Sequence, residues 1–233
     1  MRDLLPRTIL DAVGPADLAA LLLLAAAWGA VGWLSEHPFR GRPSVTVLMA
    51  EVRREWMREF LLRDNRIFDA QIIASLRQGT SFFASTSLLA VGGVLALIGN
   101  VQPLTGLAAE IGGEAEPALL WQVRLLPCAL LLTHGFLKFA WANRLFGYCS
   151  VMMAAVPMDP ADPRAGPRAA RAAELNVRAS FNFNRGLRSL YYALGSLAWL
   201  LGPLALGAAA VVVTALLARR EFASLPRDVL DGP

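Results

Sequence analysis

Four stretches of the chain are apolar with almost no polar stripe. Leu18 to Leu34 carries no charge and is rich in leucine and alanine. Gln78 to Ala109 is uncharged throughout, and its apolar part runs from about Thr80 to Ile98. Leu119 to Ala142 is apolar but contains Arg124, His134 and Lys138. Ser189 to Ala218 is uncharged and longer than a straight crossing requires. A helix needs roughly 20 mostly apolar residues to cross the hydrocarbon core of a bilayer. A soluble core helix keeps one polar face, whereas helices apolar nearly all round belong in lipid. The pattern predicts transmembrane spans at about 17–34, 79–99, 119–142 and 189–218.

Between the spans the pattern changes. From Ser44 to about Arg63, Val45, Met49, Val52, Trp56 and Phe60 recur at helical spacing. Glu51/Arg54, Glu55/Arg58 and Glu59/Arg63 lie three or four apart, as on an exposed helix face. The pattern continues through Ile67, Phe68, Ile72 and Leu76, which predicts helix over 44–77. Such a helix either lies on the membrane surface or packs on its own bundle. Its mixed charges favour the second. Further on, Leu145 to Val156 prolongs the third helix, and Pro157, Pro160, Pro163, Gly166 and Pro167 make a turn. A helix over 167–188 starts near Pro167, a residue suited to a first helical position. It lines up Arg171, Glu174, Arg178, Asn182 and Arg185, then leads into Arg188, Tyr191 and Tyr192. The expected fold is all-α: one domain over 1–233, an integral membrane bundle of four transmembrane helices with cytoplasmic helical extensions.

Composition agrees. The 233 residues are 56% hydrophobic and only 17% charged, where soluble domains average about 25% charged. Mean hydropathy is +0.48. This excludes disorder and disfavours a plain soluble enzyme. Of the 22 basic residues all but Lys138 are arginine, a skew that reflects coding bias in a GC-rich genome. The start resembles a cleavable signal, with Arg2, Arg7 and the small residues Ala25 to Ala27. Asp3, Asp11 and Asp17 interrupt it, and the apolar run is as long as a true span, so it reads as retained.

Charge also orients the chain. The 35–77 loop holds Arg40, Arg42, Arg53, Arg54, Arg58, Arg63, Arg66 and Arg77, and the 143–188 connection is equally arginine-rich. The 99–118 loop has no basic residue and carries Glu110, Glu114 and Glu116. Arginine-rich loops stay in the cytoplasm. Both are therefore expected inside the cytoplasmic (inner) membrane, with the acidic loop and both termini outside. Arg219 and Arg220, just after the last span, run against this orientation. Trp33, Trp121 and Trp141 fall at span ends, where indole rings prefer the interface.

Small residues mark the second span as the central helix: Ser81 and Ser85, Gly92 and Ala96, then Gly99. Helices in lipid associate through such residues, which let backbones approach. They pack either within one subunit or between subunits around a pore. Gly202-Pro203 is expected to kink the fourth span.

Chemical signals are few. There is no HExxH, CxxC, P-loop, dinucleotide fingerprint or GxSxG elbow. His37 and His134 lie on different segments, which disfavours a bis-histidine haem, and Cys128 and Cys149 suit neither a disulfide framework nor a metal site. No metal, cofactor or nucleic-acid partner is implied. One constellation stands out: His134 and Lys138, four apart on one face of the third span. A buried lysine can lose its proton and an arginine cannot, so the lone lysine is a transport or ligand candidate. It can equally snorkel to the interface. Asp69 before the second span, Arg144 after the third, and Asn184 and Arg188 before the fourth would meet at the same membrane face. They form either a collar for an anion or lipid head group, or an ion-pair network using Asp64 and Asp69, which the available carboxylates favour.

Several of these segments resemble the multipass membrane family catalogued as domain of unknown function 599. They are Asp69-Ala70-Gln71, Thr80-Ser81-Phe82-Phe83-Ala84-Ser85-Thr86, Lys138-Phe139-Ala140-Trp141 with Arg144, and Asn184-Arg185-Gly186-Leu187-Arg188 with Tyr191-Tyr192 and Trp199. The likeness runs from about Trp33 to Pro203. It implies a four-helix membrane protein and brings no reaction and no catalytic residue. The expected function is a non-enzymatic, homo-oligomeric protein of the lipid bilayer with an ion or small-solute pathway along the second helix. The alternatives are an accessory subunit of a larger membrane complex, or a lipid-modifying enzyme using Asp69 with Lys138 as its acid/base pair.

Overall fold

The structure, a computed structural model, describes residues 13–37, 42–110 and 116–232. Arg2, Asp3, Arg7, Asp11, Pro38, Arg40, Gly41 and Glu114 lie outside the described residues. The helices are α1 (Pro15–Glu36), α2 (Val45–Glu59), α3 (Ile67–Gly99), α4 (Gln102–Glu110), α5 (Ala118–Ala154), α6 (Ala165–Ser196), α7 (Pro203–Phe222) and α8 (Leu225–Asp231). Short 3-10 turns, Phe60–Leu62 and Leu197–Leu201, follow α2 and α6. Among the described residues, four helices are long and apolar enough to cross a membrane: Pro15–Glu36, Ile67–Gly99, Ala118–Ala154 and the Pro203–Asp231 segment. Their outer faces carry Leu22, Phe82, Leu89, Leu130, Leu204 and Val212 in the open. Apolar cover on that scale is unstable in water and suits hydrocarbon.

Local chemistry sets the ends. Pro15 opens α1, and the Asp17 carboxylate accepts from the Gly14 N–H at 3.1 Å. Ser44 caps α2 by accepting from the Val47 N–H at 3.2 Å. Its own hydroxyl donates to the Ser35 carbonyl, which ties α2 to the end of α1. The 37 residues of α5 reach about 55 Å, well beyond a bilayer core, so its last turns extend past the spans. There Met57, Phe60, Ile73, Phe146, Cys149 and Met153 form a core against the alanine side of α6. Ala165, Ala169, Ala172 and Ala179 are buried on that side and let α2 and α5 come close.

The expected fourth span departs from a single kinked helix. The run 189–218 is broken at Gly202, whose φ of +108° is a conformation that glycine adopts at little cost. Pro203, lacking an N–H, then starts a new helix. The chain reverses there. Tyr192 Oη hydrogen-bonds Thr214 Oγ1 at 2.8 Å, Gly195 packs on Val213, and Tyr191 receives Arg220 Nη1. Thus α7 runs back along the last turns of α6 and parallel to α1. One end of the bundle holds Asp17, Trp199, Gly202 and the Arg124–Glu116 pair. The other holds Glu36, α2 and α8, where Arg227 donates to the Pro43 carbonyl. The described C-terminal residues therefore lie at the arginine-rich end, opposite the start of α1. A single fourth span would instead put both termini at one end.

The small-residue helix is also placed differently. The tight seam is between α5 and α6: a Cβ on Gly186 would lie 2.7 Å from the Phe139 ring, and one on Gly135 would lie 3.4 Å from the Gly186 carbonyl. Ser189, Tyr192, Ala193 and Ser196 of α6 are fully buried. The centre is thus α5 with α6. Helix α3 flanks α5 and is open on its other side. Ser85, Gly92, Ala96 and Gly99 are exposed there, and nothing lies within 4 Å of a Cβ built at Gly92 or Gly99. Ser81 sits nearer α5 and accepts from Asn143 Nδ2 at 2.8 Å.

Candidate functional site

Three helices bound a groove near the arginine-rich end. Helix α1 supplies Trp28, Gly32, Trp33 and Glu36, α5 supplies His134 and Lys138, and α6 supplies Arg185 and Arg188. The groove measures about 340 Å³. His134 and Lys138 share a face because they are four apart on one helix. Arg185 and Arg188, three apart, do the same on α6. Gly32 lies beside them: a Cβ there would sit 4.0 Å from Arg188 Nε, in ordinary contact.

Glu36 is the hub. Its Oε1 accepts from Arg185 Nε at 2.8 Å and from Arg188 Nη2 at 2.6 Å, and its Oε2 accepts from Arg185 Nη2 at 2.5 Å. Arg188 is only 4% exposed. Its Nη1 is buried and has no hydrogen-bond partner among the described residues. His134 Nδ1 shares a hydrogen bond with Ser189 Oγ at 2.7 Å, and Trp28 presents a T-shaped contact to the ring at 5.0 Å. Lys138 enters none of the ion pairs among the described residues. It also borders a second cleft with Arg54, Trp141, Glu174, Arg178 and Arg185. Lys138 and Arg185 therefore stand between the groove and that cleft. Three cations and one carboxylate leave the groove about two charges positive with His134 neutral, by ordinary side-chain ionisation.

Of the residues singled out in the sequence, Lys138, His134 and Arg188 come together here. Asp69, Arg144 and Asn184 do not. Asp69 is fully buried elsewhere, accepting from Trp56 Nε1 at 2.6 Å and from Arg63 Nη1. That position makes it a tie between α2 and α3 and leaves no acid/base pair with Lys138. Arg144 donates from Nε to Tyr148 Oη at 2.7 Å on an exposed part of α5. Asn184 reaches Thr46 Oγ1 at 3.3 Å, and Thr46 in turn donates to Glu221. An ion-pair network does join the helical extensions to the bundle, through Arg54–Glu174 and Arg63–Asp69. The carboxylate held by α6 is Glu36 rather than Asp64 or Asp69.

Sequence reasoning missed Glu36, and it counted Arg185 among the polar residues before the fourth span without giving it a partner. The available signal was depth: Glu36 ends the first span where Arg185 and Arg188 enter the membrane from α6. Trp28 gave none, since an apolar ring in an apolar span is unmarked. No group of three or more histidine, cysteine or acidic residues able to hold a metal ion occurs among the described residues.

A family model described as "Protein of unknown function, DUF599" matches residues 19–226. No curated protein and no solved structure matches the chain. The match covers most of each membrane-competent helix, all of α2 and the groove residues on α1, α5 and α6, and the chain belongs to the DUF599 family.

Proposed function

We propose that this protein is a non-enzymatic multipass protein of the cytoplasmic membrane that holds an anionic amphiphile in the groove between α1 and α5. The single observation carrying this is the buried Arg188, whose Nη1 faces no acceptor among the described residues. A buried guanidinium donor left without a partner is costly, and an anionic oxygen relieves that cost. The ion-pair-free Lys138 adds a second cation at the same level. Trp33 is exposed beside the groove at the end of α1, where an indole sits at head-group depth. The arginine-rich end, including the C-terminus, is the cytoplasmic end in this reading, and the occupant is an acidic lipid of the inner leaflet. The test is thermal stability in nanodiscs of phosphatidylcholine with and without phosphatidylglycerol. Phosphatidylglycerol should raise the melting temperature of the wild type and not that of Arg188→Gln. Equal responses from the two proteins would refute the reading.

A second reading rests on α3. Its exposed Ser85, Gly92, Ala96 and Gly99 offer a surface on which another helix packs closely. A second copy of the chain, or a subunit of a larger complex, would cover it. Native mass spectrometry from nanodiscs distinguishes these: a homo-oligomer sheds identical masses, a mixed complex does not, and a monomer removes both.

A further inference from the structure

The groove does not stand alone. The second cleft measures about 520 Å³, and Lys138 and Arg185 line both spaces. Arg178 of α6, Trp141 of α5 and Arg54 of α2 also line the cleft. The two spaces open at one depth. Trp33 borders the groove and Trp141 borders the cleft, and the two are 58% and 48% exposed. Exposed indoles at span ends mark the head-group layer. Leu130 and Leu137, both exposed, lie on the stripe of α5 that ends in Trp141. Acyl chains of a lipid seated at Lys138 would run along that stripe.

The charge at this depth exceeds what one phosphate can meet. Arg54, Lys138, Arg178, Arg185 and Arg188 line the two spaces against two carboxylates, Glu36 and Glu174. Glu51 shares Arg54 from outside, and both of the Arg54 ion pairs measure 2.6 Å. An excess of about two to three positive charges remains by ordinary side-chain ionisation. Arg178 and Lys138 enter no ion pair among the described residues. The excess is also spread out. Arg178 and Arg188 are ten residues apart on α6, about 15 Å along its axis, and a single phosphate beside Arg188 does not span that interval. Lys138 stands between the two spaces, within reach of an anion in either.

We infer that groove and cleft form one site for a lipid that carries two phosphates joined by a short bridge, the cardiolipin class. One phosphate lies beside Lys138 and Arg188 in the groove, and the other beside Arg178 in the cleft. This rests on the acidic-lipid reading of the groove and names the class of lipid. Basic pockets between membrane helices on the cytoplasmic side suit such head groups. Joining the phosphates makes the second contact intramolecular, so it adds affinity without a second association cost.

The full chain is reconstituted in phosphatidylcholine nanodiscs that contain either phosphatidylglycerol or cardiolipin, compared at equal lipid phosphate. Melting temperature is read across a titration of each lipid. The wild type should reach half of its maximal shift with at least ~10-fold less phosphate as cardiolipin than as phosphatidylglycerol. Arg178 is exposed and unpaired among the described residues, so Arg178→Gln should melt as wild type in phosphatidylcholine alone. Its response to phosphatidylglycerol should persist, and its response to cardiolipin should weaken about fivefold, the worth of one cation near an anionic surface. Equal potency of the two lipids, with phosphatidylglycerol still stabilising, overturns the two-phosphate site and leaves the groove reading in place. No stabilisation by either lipid overturns both. A cardiolipin advantage undiminished in Arg178→Gln puts the second phosphate outside the cleft and overturns the site. Pyrophosphate, added to phosphatidylcholine nanodiscs at matched ionic strength, has two joined phosphates and no acyl chains, and should give no shift. A saturable pyrophosphate shift that disappears in Arg178→Gln would make the occupant a solute, against the proposal.

Discussion

Trp199 donates its indole N–H to Asp17 Oδ1 at 2.6 Å, and both residues are buried. They are the last turn before Gly202 and the first turn of α1, so this bond ties the reversal of the chain to the bundle. In a bilayer, apolar contacts between helices gain little over contacts with lipid tails, and polar ties count for more. Asp17→Leu should lower the unfolding free energy in detergent by about 1–3 kcal/mol, because it leaves the indole N–H buried without an acceptor. Trp199→Phe should cost a comparable amount by stranding the carboxylate. The double variant should cost less than the sum, as residues in direct contact do. Additive losses in chemical denaturation would mean the bond contributes nothing of its own.

The reversal at Gly202 sets the sidedness of the C-terminus. With α7 returning along α6, Arg219, Arg220 and Arg227 join the arginines of both long loops at one end. The residues that ran against the charge rule for a single fourth span support it for a reversed one. In intact cells, cysteine probes at Ala161 and Gly232 should be shielded together from an impermeant outer reagent, and a probe at Gln102 should react. Labelling of Gly232 along with Gln102 would return the C-terminus to the outside and remove α7 as a span.

Glycines separate the two packing seams. A side chain at Gly186 must displace the Phe139 ring, so Gly186→Leu should abolish a sharp melting transition. Gly92→Leu meets open space within the subunit and should leave the monomer's melting temperature unchanged. Any change it makes in size-exclusion elution reports on assembly alone. A destabilised Gly92→Leu monomer would place another element of the same chain against α3.

These glycines also mark how far sequence reading reaches. Apolar runs marked the first three membrane-competent helices, because lipid demands length and uniform apolarity and both are local properties. The run 189–218 misled for the same reason: two legs of a hairpin in lipid are as uncharged as one long helix. The sign of reversal was a single φ value at Gly202, and Gly-Pro serves kinks and turns alike. Gly92 with Ala96 looks like a helix seam by spacing, and Gly135 with Gly186 does not, since their pairing spans 51 positions. In the groove, His134 and Lys138 were visible as neighbours on one helix. Glu36 and Arg188 became partners only once α1 and α6 were packed. The hydrogen-bonding state of Arg188, on which the groove reading rests, has no trace in the sequence.

Glu36 tests whether the groove is a site or only a strut. Glu36→Gln leaves Arg185 and Arg188 without their carboxylate, and breaking a buried ion pair from one side costs about 3–5 kcal/mol. If the groove takes an acidic lipid, phosphatidylglycerol should recover much of that loss, and neutral phosphatidylcholine should not. A variant equally unstable in both lipids would make the cluster purely structural.

Lys138 carries the sharpest comparison, because it takes part in no ion pair among the described residues and sits where the groove meets the neighbouring cleft. Lys138→Met removes no salt bridge, so stability in phosphatidylcholine should be unchanged. Its charge is worth about 1 kcal/mol towards an anionic lipid surface, so Met should weaken phosphatidylglycerol binding roughly fivefold. Arginine is the informative substitution. A guanidinium forks towards carboxylates, and Glu36 lies in the same groove, so Lys138→Arg should compete with Arg185 for Glu36 instead of staying available to the lipid. The expected order of lipid response is therefore wild type above Lys138→Arg, with Lys138→Met lowest. If the ammonium only snorkels to the interface, arginine solvates its charge equally well. A Lys138→Arg protein that matches wild type in phosphatidylglycerol stabilisation would take Lys138 out of the site and leave Arg188 Nη1 as the donor that carries it.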